Sequence, residues 1–143
     1  MKKVAVVYWS GSGNTEEMAK SVLEGAKKGG ADAELKRFED FKVADLAGYD
    51  GFLFGCPAMG DEVLEEDEFE PFFTEAEKKL SGVPVGLFGS YGWGAGAWME
   101  PWAERTKAAG AKLVSDGVIV ENAPDDDGVK ACEDLGEAVA KAL

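Results

Sequence analysis

The chain has no histidine. That absence removes Ser-His triads, histidine metal sites and imidazole acid–base chemistry together. Cysteine is nearly absent too. Cys56 and Cys132 stand far apart with no CxxC spacing, which argues against a zinc site and against a disulfide framework. Basic residues are scarce: 15 Lys and Arg against 28 Asp and Glu leave a formal net charge of −13. Such a chain is a poor partner for nucleic acid or for an anionic membrane surface. No apolar run approaches the ~18 residues of a membrane span. Six apolar residues, Val4–Trp9, follow Met1-Lys2-Lys3, too few for the apolar region of a signal peptide. A soluble cytoplasmic protein is the expectation.

What is present is enough for a core. Across 143 residues, apolar side chains make up 45% and aromatics 10%, well above a disordered acidic chain. Five short apolar runs stand out: Val4–Trp9, the alternating Ala31–Phe38, Gly51–Cys56, Val83–Gly89 and Lys112–Val120. The first, third and fourth are nearly continuous, as strands covered on both faces require. Helical spacing lies between most of them. Thr15, Met18, Ala19, Val22, Leu23 and Ala26 form one apolar face, with Asn14 as a cap candidate and Gly29-Gly30 as the stop. Pro71 suits the first turn of a second helix ending at Ser81-Gly82. A further helix begins after Gly96, because Pro101 needs an early position. The last follows Asp125-Asp126-Asp127. Only the segment around Phe41–Ala47 is short, with room for a turn or two.

Strand–helix alternation predicts a doubly wound α/β sheet with right-handed crossovers, and one domain filling residues 1–143. In such sheets ligands bind at the carboxyl ends of the strands. Three loops there are unusual. After the first strand comes Ser10-Gly11-Ser12-Gly13-Asn14-Thr15, opening a helix. Helix-terminal N–H groups, glycines and hydroxyls make an anion cradle. Glu16 replaces the third glycine of a dinucleotide fingerprint, and no Gly-Lys-Ser/Thr ending makes it a P-loop. No base lies between Lys3 and Lys20, so one terminal monophosphate held by neutral donors fits best.

After the third strand comes Cys56-Pro57-Ala58-Met59-Gly60-Asp61-Glu62, with seven acids in residues 61–70. Gly60 permits alternative turn types. Most of that charge run reads as a solvated face, and Cys56 as core filler. After the fourth strand comes Gly89-Ser90-Tyr91-Gly92-Trp93-Gly94-Ala95-Gly96. Aromatics on a glycine-rich loop are candidates for stacking on a planar ligand, or for packing back on the sheet edge. Trp98 and Trp102, at i and i+4, read as core.

A monophosphate cradle, a Met-Gly turn and a Trp loop together describe a site for FMN. Over its whole length the chain resembles a short-chain flavodoxin, most specifically in the SGxGNT-type cradle, the Cys-x-Ala-Met-Gly-Asp-Glu loop and Gly-Ser-Tyr-Gly-Trp-Gly. The resemblance implies a three-layer fold with a five-stranded parallel sheet in order 2-1-3-4-5. It implies that Ser10 to Thr15 hold the phosphate and that Met59 and Trp93 flank the isoalloxazine. Glu62 would accept a bond from flavin N3, the Tyr91-Gly92 backbone would line the pyrimidine side, and Asn122 would reach the ribityl chain. Pro57 stands where relatives can carry Ser, and it cannot donate to that chain through its side chain or its nitrogen.

The implied function is a low-potential one-electron carrier on the semiquinone/hydroquinone couple, with the Gly60–Asp61 peptide flipping on reduction. Neither catalytic residues nor a metal are expected. The implied partners are basic-patched reductases and oxidoreductases met in weak electrostatic encounters by a monomer. The enzyme alternative is a small FMN-dependent NAD(P)H:quinone-type oxidoreductase, which would need a second binding surface. A receiver domain is excluded, because its acidic and lysine positions hold Tyr8-Trp9-Ser10, Gly55-Cys56-Pro57 and Val120-Glu121.

Overall fold

The continuous apolar runs become the centre of one parallel sheet. A computed structural model describes residues 2–9, 13–58, 68–92 and 96–143. The strands are β1 (Lys3–Tyr8), β2 (Asp32–Arg37), β3 (Gly51–Gly55), β4 (Pro84–Tyr91), β5 (Lys112–Leu113) and β6 (Val118–Glu121). The helices are α1 (Asn14–Lys28), α2 (Phe69–Ala76), α3 (Met99–Ala108) and α4 (Asp126–Lys141). Every strand pairing is parallel, and the order is β2-β1-β3-β4-β5, with β6 also on β4.

The order is as expected, and one strand is not. The run Lys112–Val120 is divided in two, with β5 and β6 pairing successively along β4. The break falls at Ser115-Asp116-Gly117. Gly117 adopts φ 108°, and its N–H donates to the Ser115 hydroxyl at 3.3 Å. A left-handed residue cannot continue a ladder.

Strand side chains alternate between two cores. Val4, Val6, Tyr8, Leu53 and Phe88 meet Met18, Ala19, Val22, Cys132, Leu135 and Val139 from α1 and α4. Ala5, Val7, Phe52, Phe54, Val85 and Leu87 meet an aromatic layer from α2 and α3. There Phe69 and Phe73 present their rings to Trp102 at 5.8 and 5.6 Å, nearly edge to face. Pro71 and Pro101 each sit at the third position of their helices, where the backbone N–H is dispensable. Two 3-10 turns, Phe38–Asp40 and Val43–Gly48, fill the short segment before β3. Among the described residues no helix is long and apolar enough to cross a membrane. None of their His, Cys, Asp or Glu side chains form a group of three or more placed to hold a metal ion.

Candidate functional site

At the carboxyl ends of β1, β3, β4 and β6 the connecting loops converge. Of the residues singled out in the sequence, Ser10, Gly11, Ser12, Met59, Gly60, Asp61, Glu62, Trp93 and Gly94 lie outside the described residues. Gly13, Asn14, Thr15, Pro57, Ala58, Ser90, Tyr91, Gly92 and Asn122 are described, and bonds or proximity link several of them.

The cap of α1 differs from the sequence expectation. Gly13, not Asn14, is the N-cap, at φ 95°, and Asn14 is the first helical residue. No side chain accepts from the first turn at the cap. The first bond within the helix runs from the Glu17 N–H to the Gly13 carbonyl at 3.0 Å. A left-handed cap is a glycine position, because a Cβ there is strained whatever space surrounds it.

Ser90 joins the loops. Its N–H donates to the Thr15 hydroxyl at 3.4 Å, its own hydroxyl donates to the Asn122 carbonyl at 2.7 Å, and its carbonyl accepts from the Ala58 N–H at 3.0 Å. Thr15, 1% exposed, therefore belongs both to the apolar face of α1 and to this polar junction. The Asn122 N–H returns a bond to the Tyr91 carbonyl at 2.8 Å, and Asn122 takes φ 59° to do so. Asparagine tolerates that conformation better than most residues. An alanine at Ser90 is expected to lower stability by about 1 kcal/mol, since it removes a part-buried hydrogen bond to the Asn122 carbonyl. Thermal denaturation checks this; an unchanged midpoint would remove the hydroxyl from the account.

The Tyr91 ring rests on Trp98, with centroids 5.9 Å apart, so the packing alternative describes its side chain. Its backbone and Gly92 remain at the end of β4, with the Asn122 side chain 3.7 Å from where a Gly92 Cβ would stand. Trp98 and Trp102 are buried, as their spacing predicted, and so is Cys56. The Cys132 thiol is pushed up to about 12 by burial, then by Glu133. Burial thus disfavours its thiolate at neutral pH.

Two contributions had no signal in the sequence. The Trp9 indole donates to Glu68 at 3.4 Å, tying the exit of β1 to the residue just before α2. The Trp98 indole donates to the Cys56 carbonyl at 3.2 Å. Both partners are more than forty positions away, beyond the reach of any local pattern.

The arrangement fits a neutral-donor cradle for one phosphate group. A glycine-capped helix points its N-terminus at the loop. Lys20, the nearest following base, is paired with Glu16 at 3.7 Å. The start of α1 offers an anion unpaired backbone N–H groups and the positive end of the helix dipole.

The flavodoxin family model matches residues 6–136, and the chain belongs to the flavodoxin family. It is a small FMN-binding electron carrier rather than an enzyme, and the quinone-oxidoreductase alternative is not favoured. Among its relatives, the flavodoxin of Megasphaera elsdenii is 51% identical over 142 residues, covering 97% of this chain and 99% of that one. The flavodoxin of Clostridium beijerinckii is 45% identical over 135 residues, covering 94% and 97%. The solution structure of two-electron reduced Megasphaera elsdenii flavodoxin superimposes with a TM-score of 0.88 at 52% identity, covering 96% of this chain and 98% of that one.

Proposed function

We propose that this carrier works at low potential, passing one electron at a time to basic-patched redox proteins from an FMN held by the four converging loops. The observation that supports this most is the Ser90 junction, which ties the loops after β1, β3 and β6 to the end of β4 beside the glycine-capped start of α1. FMN, when bound, supplies the one-electron chemistry; the protein binds it, orients it and sets its electrostatics.

Ser10, Gly11, Ser12, Gly13, Asn14 and Thr15 would hold the phosphate. Ala58, Tyr91 and Gly92 would offer backbone groups, with Pro57, Ser90, Gly94 and Asn122 shaping the loops around them. Met59 and Trp93 would cover the two ring faces, Glu62 would accept from the pyrimidine edge, and Gly60 with Asp61 would supply a peptide free to turn over.

Charge argues for the low potential. Val43 through Glu77 holds eleven acids and no base, and no base lies between Lys79 and Arg105. Arg105 itself is bonded to Glu70 and Glu77. At ~10 Å and an effective dielectric of ~40, one carboxylate opposes an added electron by ~0.8 kcal/mol, or ~35 mV. Salt reduces that for exposed groups.

The test is an anaerobic dithionite titration of the FMN-reconstituted protein. Two resolved one-electron steps, the second at low potential, are expected. Reduction in a single two-electron step would refute one-electron carriage. Partner choice has its own check. Reduction by a basic partner should slow as ionic strength rises, and a rate indifferent to salt would sink the electrostatic encounter.

A further inference from the structure

We propose that Trp98 is a positioning residue of the flavin site: its indole N–H pins the Cys56 carbonyl and so fixes where the chain leaves β3 toward Pro57 and Ala58. The inference rests on the FMN-binding reading above.

Three independent contacts converge on this side chain, which is 1% exposed. Its Nε1–H donates to the Cys56 carbonyl at 3.2 Å in a buried setting. Its ring lies against Tyr91, whose backbone ends β4. Its six-membered ring passes close over Gly89, where an ideal Cβ would stand 2.8 Å from the indole and closer still to the Cys56 carbonyl oxygen. Gly89 thus lets strand, indole and loop exit come together.

Cys56 follows the last residue of β3, and its N–H is already spent on the Phe88 carbonyl at 3.1 Å. Held by its N–H from β4 and by its carbonyl from Trp98, this residue cannot rotate either flanking peptide. Beyond it, the Pro57 carbonyl accepts from the Cys56 thiol at 3.6 Å and the Ala58 N–H donates to the Ser90 carbonyl. Removing the Trp98 N–H would take away one of the bonds that hold the chain where it leaves β3.

Trp102 is a built-in control. It is also a buried tryptophan four residues on, but its Nε1–H has no hydrogen-bond partner among the described residues. Replacing it by phenylalanine removes indole bulk without removing an anchor.

The experiment compares Trp98→Phe with Trp102→Phe in the full chain, measuring FMN dissociation constants by titration of the apoprotein, both one-electron midpoint potentials, and thermal midpoints. Expected are an FMN affinity about tenfold weaker and a changed spacing of the two potentials in Trp98→Phe. Trp102→Phe should shift the thermal midpoint alone. If Trp98→Phe lowers the thermal midpoint with affinity and potentials as in the wild type, Trp98 is core only and the proposal fails. Should Trp98→Phe not fold, hydrogen exchange of the Trp98 indole in wild-type apoprotein decides. Exchange as slow as the β4 amides supports the anchor, and exchange at surface rates overturns it. A wild-type protein that does not bind FMN would overturn the FMN reading instead, and the indole exchange would still test the anchor.

Discussion

Gly25→Ala is expected to remove a large share of the protein's stability. An ideal Cβ at Gly25 stands inside the backbone of α4, on the carbonyl of Glu133, and one at Gly136 falls on the Val22 carbonyl of α1 at 2.1 Å. The two helices thus meet backbone to backbone across reciprocal glycines. Overpacking usually costs 1–3 kcal/mol because side chains can shift. Here the obstacle is main chain, so the helices must separate, and about 3 kcal/mol or more is expected. Marginal domains have ~5–15 kcal/mol in total. Separation would also move Thr15 relative to Ser90, so FMN affinity should fall with the thermal midpoint. Gly48→Ala makes the contrast. Nothing lies within 4 Å of a Cβ there, and the change should be near neutral. Chemical denaturation of the two variants gives the comparison; equal stabilities would mean that α1 and α4 do not pack this closely.

Arg105→Leu is expected to lose about 2 kcal/mol. The guanidinium makes a two-pronged bond to Glu70, Nη1 and Nη2 each at 2.7 Å, and donates through Nε to Glu77 at 2.8 Å. It also lies 5.1 Å from the Phe73 ring centre. Its side chain is 26% exposed, which places the fork between the weak surface pairs and the 3–5 kcal/mol of broken buried ones. Removing it deprives Glu70, in α2, and Glu77, in the 3-10 turn Glu77–Lys79 that follows, of their shared cation.

The pH dependence has a definite sign. Arg105, opposed by burial and aided by Thr74, holds the Glu70 carboxyl below its ordinary 4.5. The native state therefore binds that proton less readily than the unfolded chain. The stabilisation is complete above about 4.5 and fades as pH falls below it through the native value. Wild type should lose stability on acidification through this range, and Arg105→Leu should lose less. Thermal midpoints between pH 3 and pH 7 read the difference, and parallel curves for both proteins would dismiss the linkage.

Much of this was legible in the sequence because it depends on local pattern. Continuous apolar runs marked β1, β3 and β4, the three- and four-residue spacing marked α1 and α4, and early prolines marked α2 and α3. The glycine- and hydroxyl-rich run before α1 reads as a cradle for one phosphate, and of it only Gly13, Asn14 and Thr15 lie among the described residues. Two local readings went astray for local reasons. Asn14 was favoured as a cap by its side chain, but the chain enters α1 through a left-handed turn only Gly13 adopts readily. The run Lys112–Val120 alternates well enough for one strand, yet Gly117 turns it aside.

The sequence by itself determined the strand–helix alternation and the acidic character, through hydropathy period and charge count, and its resemblance to a known family implied the sheet order. Tertiary structure alone decided which groups meet: Gly25 against Glu133 and Gly136 against Val22, Arg105 against Glu70 and Glu77, Ser90 between Thr15, Ala58 and Asn122, and Trp98 against Cys56. Those partners lie between 28 and 114 positions apart in the chain. Hydrogen bonds and close packing act over a few ångströms of space, and only the folded sheet brings such distant residues within that range.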